Sequence, residues 1–313
     1  MPPEIADITS HVTLTPQQYL GIPIAVFGAI LISIGTQLQH RGVASVGKAS
    51  LTDSKAGLSI RQLLALLARP SWVFGTLLLG LAILFQLTSL GFSPLIVVQP
   101  LGAVALVVTA IVNARVSGVP LDRISIRAIV LCVGGVGLFV TIAAFTATSS
   151  PITELQLSVV LIILSAVLVA FAVAFALLRK RFKAIFYIVG AGVLFGFVAT
   201  LAKVVIDRVK TLTFKDFQSG GVEWLTILCV VGLLTAALLG SYFVQSAYSN
   251  GPPDLVVAGL TVIDPLVAVS IGIVVLGEAA TAPLWAIVAF VVAGAIAIYG
   301  VLLLARNHPQ AQH

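Results

Sequence analysis

The stretch FQLTSLGFSPLIVVQPLGAVALVVTAIVNARVSG, from Phe85 to Gly118, has a second copy in VQSAYSNGPPDLVVAGLTVIDPLVAVSIGIVVLG, from Val244 to Gly277. An offset of 159 positions aligns the two without a gap, placing Gln86 on Gln245, Pro94 on Pro253, Val97 and Val98 on Val256 and Val257, Leu101 on Leu260 and Gly118 on Gly277. Matches among valines carry little weight in an apolar chain; those of glutamine and proline carry more. The same offset puts the first apolar run of the chain on the sixth and the fourth on the ninth. An internal repeat of this kind is the best pointer in a sequence to a transporter core.

Composition sets the solvent. The chain is 59% hydrophobic and 9% charged over 313 residues. A water-soluble domain needs roughly 25% charged residues to cover its surface, so most of this surface faces lipid. A membrane-crossing helix needs about 20 mostly apolar residues, and about nine stretches qualify: Tyr19 to Gln39, Trp72 to Leu90, Pro94 to Val116, Ile126 to Ala147, Leu155 to Leu178, Ala184 to Ile206, Trp224 to Tyr248, Leu255 to Leu276 and Leu284 to Ala305. The run from Ser59 to Ala68 is too short to span and is flanked by Arg61 and Arg69, which reads as an interfacial amphipathic segment or an extension of the second span.

The basic residues lie between the apolar runs. With an N-terminus outside, the inner segments hold Arg41, Lys48, Lys55, Arg61 and Arg69, then Arg115, Arg123 and Arg127, then Arg179, Lys180, Arg181 and Lys183, and finally Arg306; the outer segments hold only Arg208, Lys210 and Lys215. That bias fits nine spans and a cytoplasmic C-terminus. It also accounts for the net charge of +6 without nucleic acid, because the cations do not line one helix face. Glu4 and Asp7, with no Lys or Arg in the first eighteen residues, are the wrong flank for a signal peptide, so the first run reads as a retained helix.

The expected fold is therefore an all-α polytopic membrane protein with an inverted 4+1+4 repeat. Residues 1–18 form an extracytoplasmic segment, 19–148 the first four-helix repeat with the amphipathic segment 59–69, 155–181 a linker helix, 184–305 the second repeat and 306–313 a cytoplasmic tail. The odd linker reverses the second unit relative to the first.

No soluble-enzyme motif is present: no Walker loop, zinc-ligand spacing or nucleophile motif, and the four histidines lie near ends or interfaces. The reading is of a protein that is not an enzyme and needs no cofactor. Cys132 and Cys229 each lie in an apolar run as small hydrophobes. The glycines at Gly134 to Gly137, at Gly190 and Gly192, and at Gly196 read as close-packing faces between helices.

Ionisable groups inside spans are expensive, at about 2.5–3.5 kcal/mol on insertion scales, and for that reason functional. Two stand out. Asp264 lies at the centre of the eighth span, just before Pro265, and Lys203 lies near the outer end of the sixth. Asp264 either pairs with Lys203 or with the hydroxyls of Thr200 and Thr261, or takes up a proton or binds a cation or amine; Lys203 alone could snorkel to the surface. Proline removes a backbone donor, so Pro265, and Pro100 with Gly102 beside Gln99, are expected to break their helices and expose polar backbone. Gln86 and Gln245, at repeat-related positions, hydrogen-bond a substrate or tie helices together.

The stretch SPLIVVQPLGAVALVVTAIVNARVSGVPL, Ser93 to Leu121, resembles the corresponding hairpin of the NIPA-type magnesium transporters, which belong to the drug/metabolite transporter superfamily. Lys203 in TLAKVV matches a lysine of that pattern, and VVLGE ending at Glu278 resembles a short loop motif of the superfamily. The first half carries Gly118, Val119 and Pro120 where an acidic residue is common in the family. The resemblance implies a secondary transporter moving a small solute across the plasma (inner) membrane of a bacterium, with lipid and a small molecule or ion as its partners; a homodimer is compatible with it. Magnesium transport and a non-transporting scaffold of an envelope complex are the alternatives. No metal ligands are assigned, since Mg²⁺ wants an octahedron of oxygens and one carboxylate beside a lysine is a poor cage.

Overall fold

The computed structural model describes residues 15–47, 67–117, 121–148, 152–178, 184–211, 224–250 and 253–306. The amphipathic segment expected before residue 67, the N-terminal fourteen residues, the loop after residue 211 and the tail after residue 306 lie outside the described residues, apart from residues 67–69. The described elements are all helices: α1 (Pro16–Tyr19), α2 (Gly21–Gly47), α3 (Pro70–Phe92), α4 (Leu95–Leu101), α5 (Ala103–Ser117), α6 (Arg123–Thr146), α7 (Glu154–Leu178), α8 (Ala184–Thr211), α9 (Trp224–Asn250), α10 (Pro253–Val274) and α11 (Leu284–Arg306). Taking α1 with α2 and α4 with α5 as continuous runs, nine helices among the described residues are long and apolar enough to cross a membrane. The chain is a multi-pass membrane protein. Its apolar side chains face outward in numbers no aqueous surface tolerates; Leu155, Leu238, Val274 and Leu284 are each more than 70% exposed.

Small residues set which helices touch. In lipid, helix pairing rests on close backbone approach rather than on a hydrophobic driving force. A Cβ added to Gly35 of α2 would lie 3.0 Å from the Gly75 carbonyl of α3, and one on Gly75 would lie 2.7 Å from the Gly35 carbonyl. A Cβ on Gly135 of α6 would meet the Ala297 amide of α11 at 2.5 Å, and one on Gly300 would meet the Cys132 amide at 2.4 Å. Because Gly135 faces Ala293 and Ala297 while Gly300 faces Ala128 and Cys132, α6 and α11 run antiparallel, backbone against backbone. Gly192 and Gly196 of α8 press in the same way on Ile263 and Val267 of α10, and Gly190 on Phe243. The expected glycine faces are therefore present at Gly135, Gly190, Gly192 and Gly196. Gly134 and Gly137 differ, having open space where a Cβ would be.

The expected breaks are milder than the prolines suggested. α10 runs through Pro265 without interruption from Pro253 to Val274. A single proline deletes one ladder bond, here the one to the Thr261 carbonyl, and the bonds on either side hold the helix. In the third span the interruption falls at Gly102, not Pro100. Gly102 has right-handed helical angles (φ −57°, ψ −30°). Its amide donates to the Gln99 carbonyl at 3.1 Å and its carbonyl accepts from Ala105 at 3.1 Å, so α4 and α5 are joined by one tightened turn.

Candidate functional site

The two proline-bearing spans meet. Pro100 and Ala103 from the third span, Val136 and Phe139 from α6, Thr261, Pro265 and Leu266 from α10, and Gly294 and Ala297 from α11 line a cavity of about 90 Å³. That leaves room for a few water molecules. The lining is apolar. The prolines leave the carbonyls of Ile96 and Thr261 short of their helical donors, which supplies polar backbone in an apolar surround.

Asp264 is not among the lining residues. On α10 the cavity takes residues 261, 262, 265, 266 and 269, which form one helical face. Asp264 belongs to a different face, with Ala268 and Ile271, both buried one and two turns further on. Its backbone is held against α8: a Cβ on Gly196 would lie 3.0 Å from the Asp264 carbonyl, and one on Gly192 3.5 Å from its amide. The Oδ1 atom of Asp264 is shielded from solvent and has no hydrogen-bond partner. Thr226 Oγ1 is the other buried side-chain oxygen among the described residues in that condition.

The pairing of Asp264 with Lys203 is corrected by the structure. Lys203 Nζ lies 2.8 Å from Asp207 Oδ2, one turn along α8, and donates to the Leu90 carbonyl at 2.9 Å. Asp207, four residues on, reaches the ammonium along its own helix, whereas Asp264 would need α10 to present it one to two turns nearer the end. Snorkelling is corrected as well, since Lys203 is 4% exposed. The threonine hydroxyls are committed within their own helices, Thr200 to the Gly196 carbonyl and Thr261 to the Val257 carbonyl. Gln99 is buried. Gln86 is half-buried and Gln245 is exposed, so the repeat-related glutamines do not share an environment.

The residue the sequence reading undervalued is Glu278. It follows Gly277, whose φ of 72° turns the chain sharply after α10. Glu278 is 4% exposed, and its carboxylate sits over the first turn of α4. The Leu95 amide donates to Oε1 and the Ile96 amide to Oε2, each at 2.8 Å. Its own amide donates to the Gly272 carbonyl at 2.9 Å, and its carbonyl accepts from Thr148 at 2.8 Å. Burial pushes the Glu278 carboxyl up to about 6; the Ile96 and Leu95 amides and the Lys203 charge pull the other way, and Asp207 adds to the rise. The signal in the sequence was a lone acid in an apolar turn, but its partners lie more than 180 residues away.

Around Glu278 the same end of the bundle is laced together. Lys210 donates to the Gly91 carbonyl at the end of α3. Thr148 Oγ1 donates to the Gly277 carbonyl at 3.4 Å, and Gln156 Nε2 donates to the Val275 and Leu276 carbonyls at 3.1 and 3.2 Å. Arg208 lies 3.7 Å from Glu154.

Similarity to known proteins extends along almost the whole chain. An uncharacterized protein of Corynebacterium glutamicum is 28% identical over 290 residues, covering 92% of this chain and 95% of its own. No family model matches the sequence, and no solved structure matches it. Among the described residues no group of three or more His, Cys, Asp or Glu side chains could hold a metal ion.

Proposed function

We propose that this chain is a secondary transporter of the drug/metabolite type that moves a small solute across the plasma membrane, with Asp264 as the group that carries a proton or a cationic part of the solute. The observation that carries the reading is the partnerless Oδ1 of Asp264 in the middle of the eighth span. A buried carboxylate oxygen without a donor costs several kcal/mol unless something compensates it. A proton or an amine that arrives and departs is such a compensation. A permanent partner is not needed and Lys203, the nearest basic residue in the sequence reading, is committed elsewhere.

Two features support an inverted repeat. α6 and α11, equivalent under the 159-residue offset, run antiparallel. The third and eighth spans do the same, since the start of α4 meets the turn that follows α10. Equivalent helices in opposite directions are what a pseudo-two-fold axis in the membrane plane requires. On the topology read from the loop charges, the Glu278 end is the outer one.

The test is flux in proteoliposomes. Uptake of a cationic or amine solute, driven by an imposed proton gradient, is expected from the native chain and is expected to vanish in Asp264→Asn. Flux that survives Asp264→Asn unchanged would remove Asp264 from the mechanism. Purification with a stable protein partner, and no flux of any solute class, would favour the scaffold instead.

A further inference from the structure

α7, the helix between the two proposed repeats, is seated at one end only. Near its start Leu157 and Val160 are fully buried, Gln156 bonds to the turn after α10 and Glu154 lies against Arg208. Beyond Leu164, none of residues 165–175 is buried. The gap that opens there is a cleft of about 270 Å³, in which Phe171, Ala172 and Phe175 of α7 look across at Leu194 of α8 and at Tyr242 and Phe243 of α9. Aromatic rings set its wall. Phe171 stands edge-on to Phe243 at 5.5 Å and to Phe186 at 5.8 Å. A Cβ on Gly190 would lie 2.4 Å from the Phe243 ring, so the bare glycine is what admits that ring.

Depth and charge both bear on what fills the cleft. It reaches from Phe175, close to the end of α7 at Leu178, down to Leu168 on the same helix and to Leu194, ten residues beyond the start of α8 at Ala184. At 1.5 Å per residue that is about 15 Å, the depth of one leaflet in a hydrocarbon core about 30 Å thick. The five residues that join α7 to α8 carry four cations, Arg179, Lys180, Arg181 and Lys183. By span order the end of α9 and the start of α10 share that side, and they add one acid, Asp254, and no cation. On the topology read from the loop charges this side is the cytoplasmic one.

We propose that the cleft is a lipid site: it holds one acyl chain of an anionic phospholipid of that leaflet, whose phosphate stays at the membrane surface in the positive field of the neighbouring cations. An apolar cleft one leaflet deep and open to the bilayer takes hydrocarbon without stranding a polar group, and left empty it would forfeit dispersion contacts along its whole lining. The field of the cations sets the sign of the headgroup. The acyl chain stands where α7 lacks a helix partner, so the lipid ties the second half of α7 to α8 and α9. Because it binds the folded bundle, it stabilises that bundle by mass action.

The test counts lipids on the full chain, independently of any flux. The protein is purified in detergent, supplied with phosphatidylglycerol or with phosphatidylcholine of the same acyl chains, and followed by native mass spectrometry and by its thermal midpoint. One phosphatidylglycerol is expected to survive conditions that strip the rest, to bind roughly tenfold tighter than phosphatidylcholine, and to raise the midpoint. High salt should shrink the preference. Ala172→Trp fills the cleft from an exposed position, and is expected to lose both the retained lipid and the rise in midpoint. Equal retention of the two lipids, a graded loss with no step at one lipid, or a retained lipid in Ala172→Trp overturns the proposal. A change of oligomeric state in Ala172→Trp with lipid content unchanged also overturns it, and gives the cleft to a second copy of the chain. If Ala172→Trp does not fold, Phe175→Trp decides, in a background with Trp72, Trp224 and Trp285 replaced by phenylalanine. Quenching of its fluorescence by brominated-chain phosphatidylglycerol at roughly a tenth of the lipid fraction that brominated phosphatidylcholine needs supports the site; quenching at equal fractions overturns it.

Discussion

Asp264 and Glu278 are carboxylic acids on one stretch of chain, fourteen residues apart; Glu278 is buried, and Asp264 is half-buried with its Oδ1 shielded from solvent. Their surroundings are opposite. Glu278 has an amide on each oxygen and a lysine charge nearby. Asp264 has an oxygen with nothing on it, at mid-span. A satisfied buried acid fixes an arrangement, and removing it leaves its partners stranded. An unsatisfied one fixes nothing and waits for a partner that is not part of the fold. The contrast fits Glu278 as a fixed part of the fold and, on the proposed transport role, Asp264 as the group that exchanges its partner.

Stability measurements can break that contrast. Glu278→Ala strands two buried amides at about 1–3 kcal/mol each, so the largest fall in thermal midpoint, measured in detergent, is expected there. A small fall would mean that the α4 amides find water and that the carboxylate is dispensable. Lys203→Met should cost less, on the order of 1–3 kcal/mol, because Asp207 is partly exposed and can rehydrate while the Leu90 carbonyl loses its donor. Its sharper signature is the Glu278 titration: with the Lys203 charge gone, the Glu278 carboxyl should titrate at a higher pH, read by the carboxyl's isotope-edited infrared band. Asp264→Leu should have the smallest effect, leaving the midpoint unchanged or raising it, since replacing an unpaired buried acid by an apolar group is neutral or stabilising. A large loss of stability in that variant would show Asp264 to be structural.

The spans were legible because the bilayer dictates them: length and hydropathy placed all nine, with ends such as Trp72 against Pro70 and Tyr248 against Asn250 moved by only a few residues. The glycine faces at Gly135, Gly190, Gly192 and Gly196 were legible for the same reason, small residues recurring at helical spacing, while Gly134 and Gly137 of the same run look onto open space. Partner choice was not. Whether Lys203 meets Asp207 or Asp264 depends on the relative depth of α8 and α10, which hydropathy does not encode to within a turn. Pro265 was overread, because the loss of one bond is absorbed by a helix with intact neighbours on both sides. Glu278 looked like the end of a loop; only folding brings the start of α4 beneath it.

The contact between α6 and α11 has a mechanical meaning. Main chain touches main chain at Gly135 and at Gly300, with Ala128, Cys132, Ala293 and Ala297 between, and one turn on from Gly135 the Phe139 ring packs on Phe290 with centroids 4.9 Å apart. Such a seam resists shear and separation while leaving rotation about its own line the least obstructed movement. If the two halves tilt against each other, as the proposed transport role requires, this seam is the line across which spacing should change least.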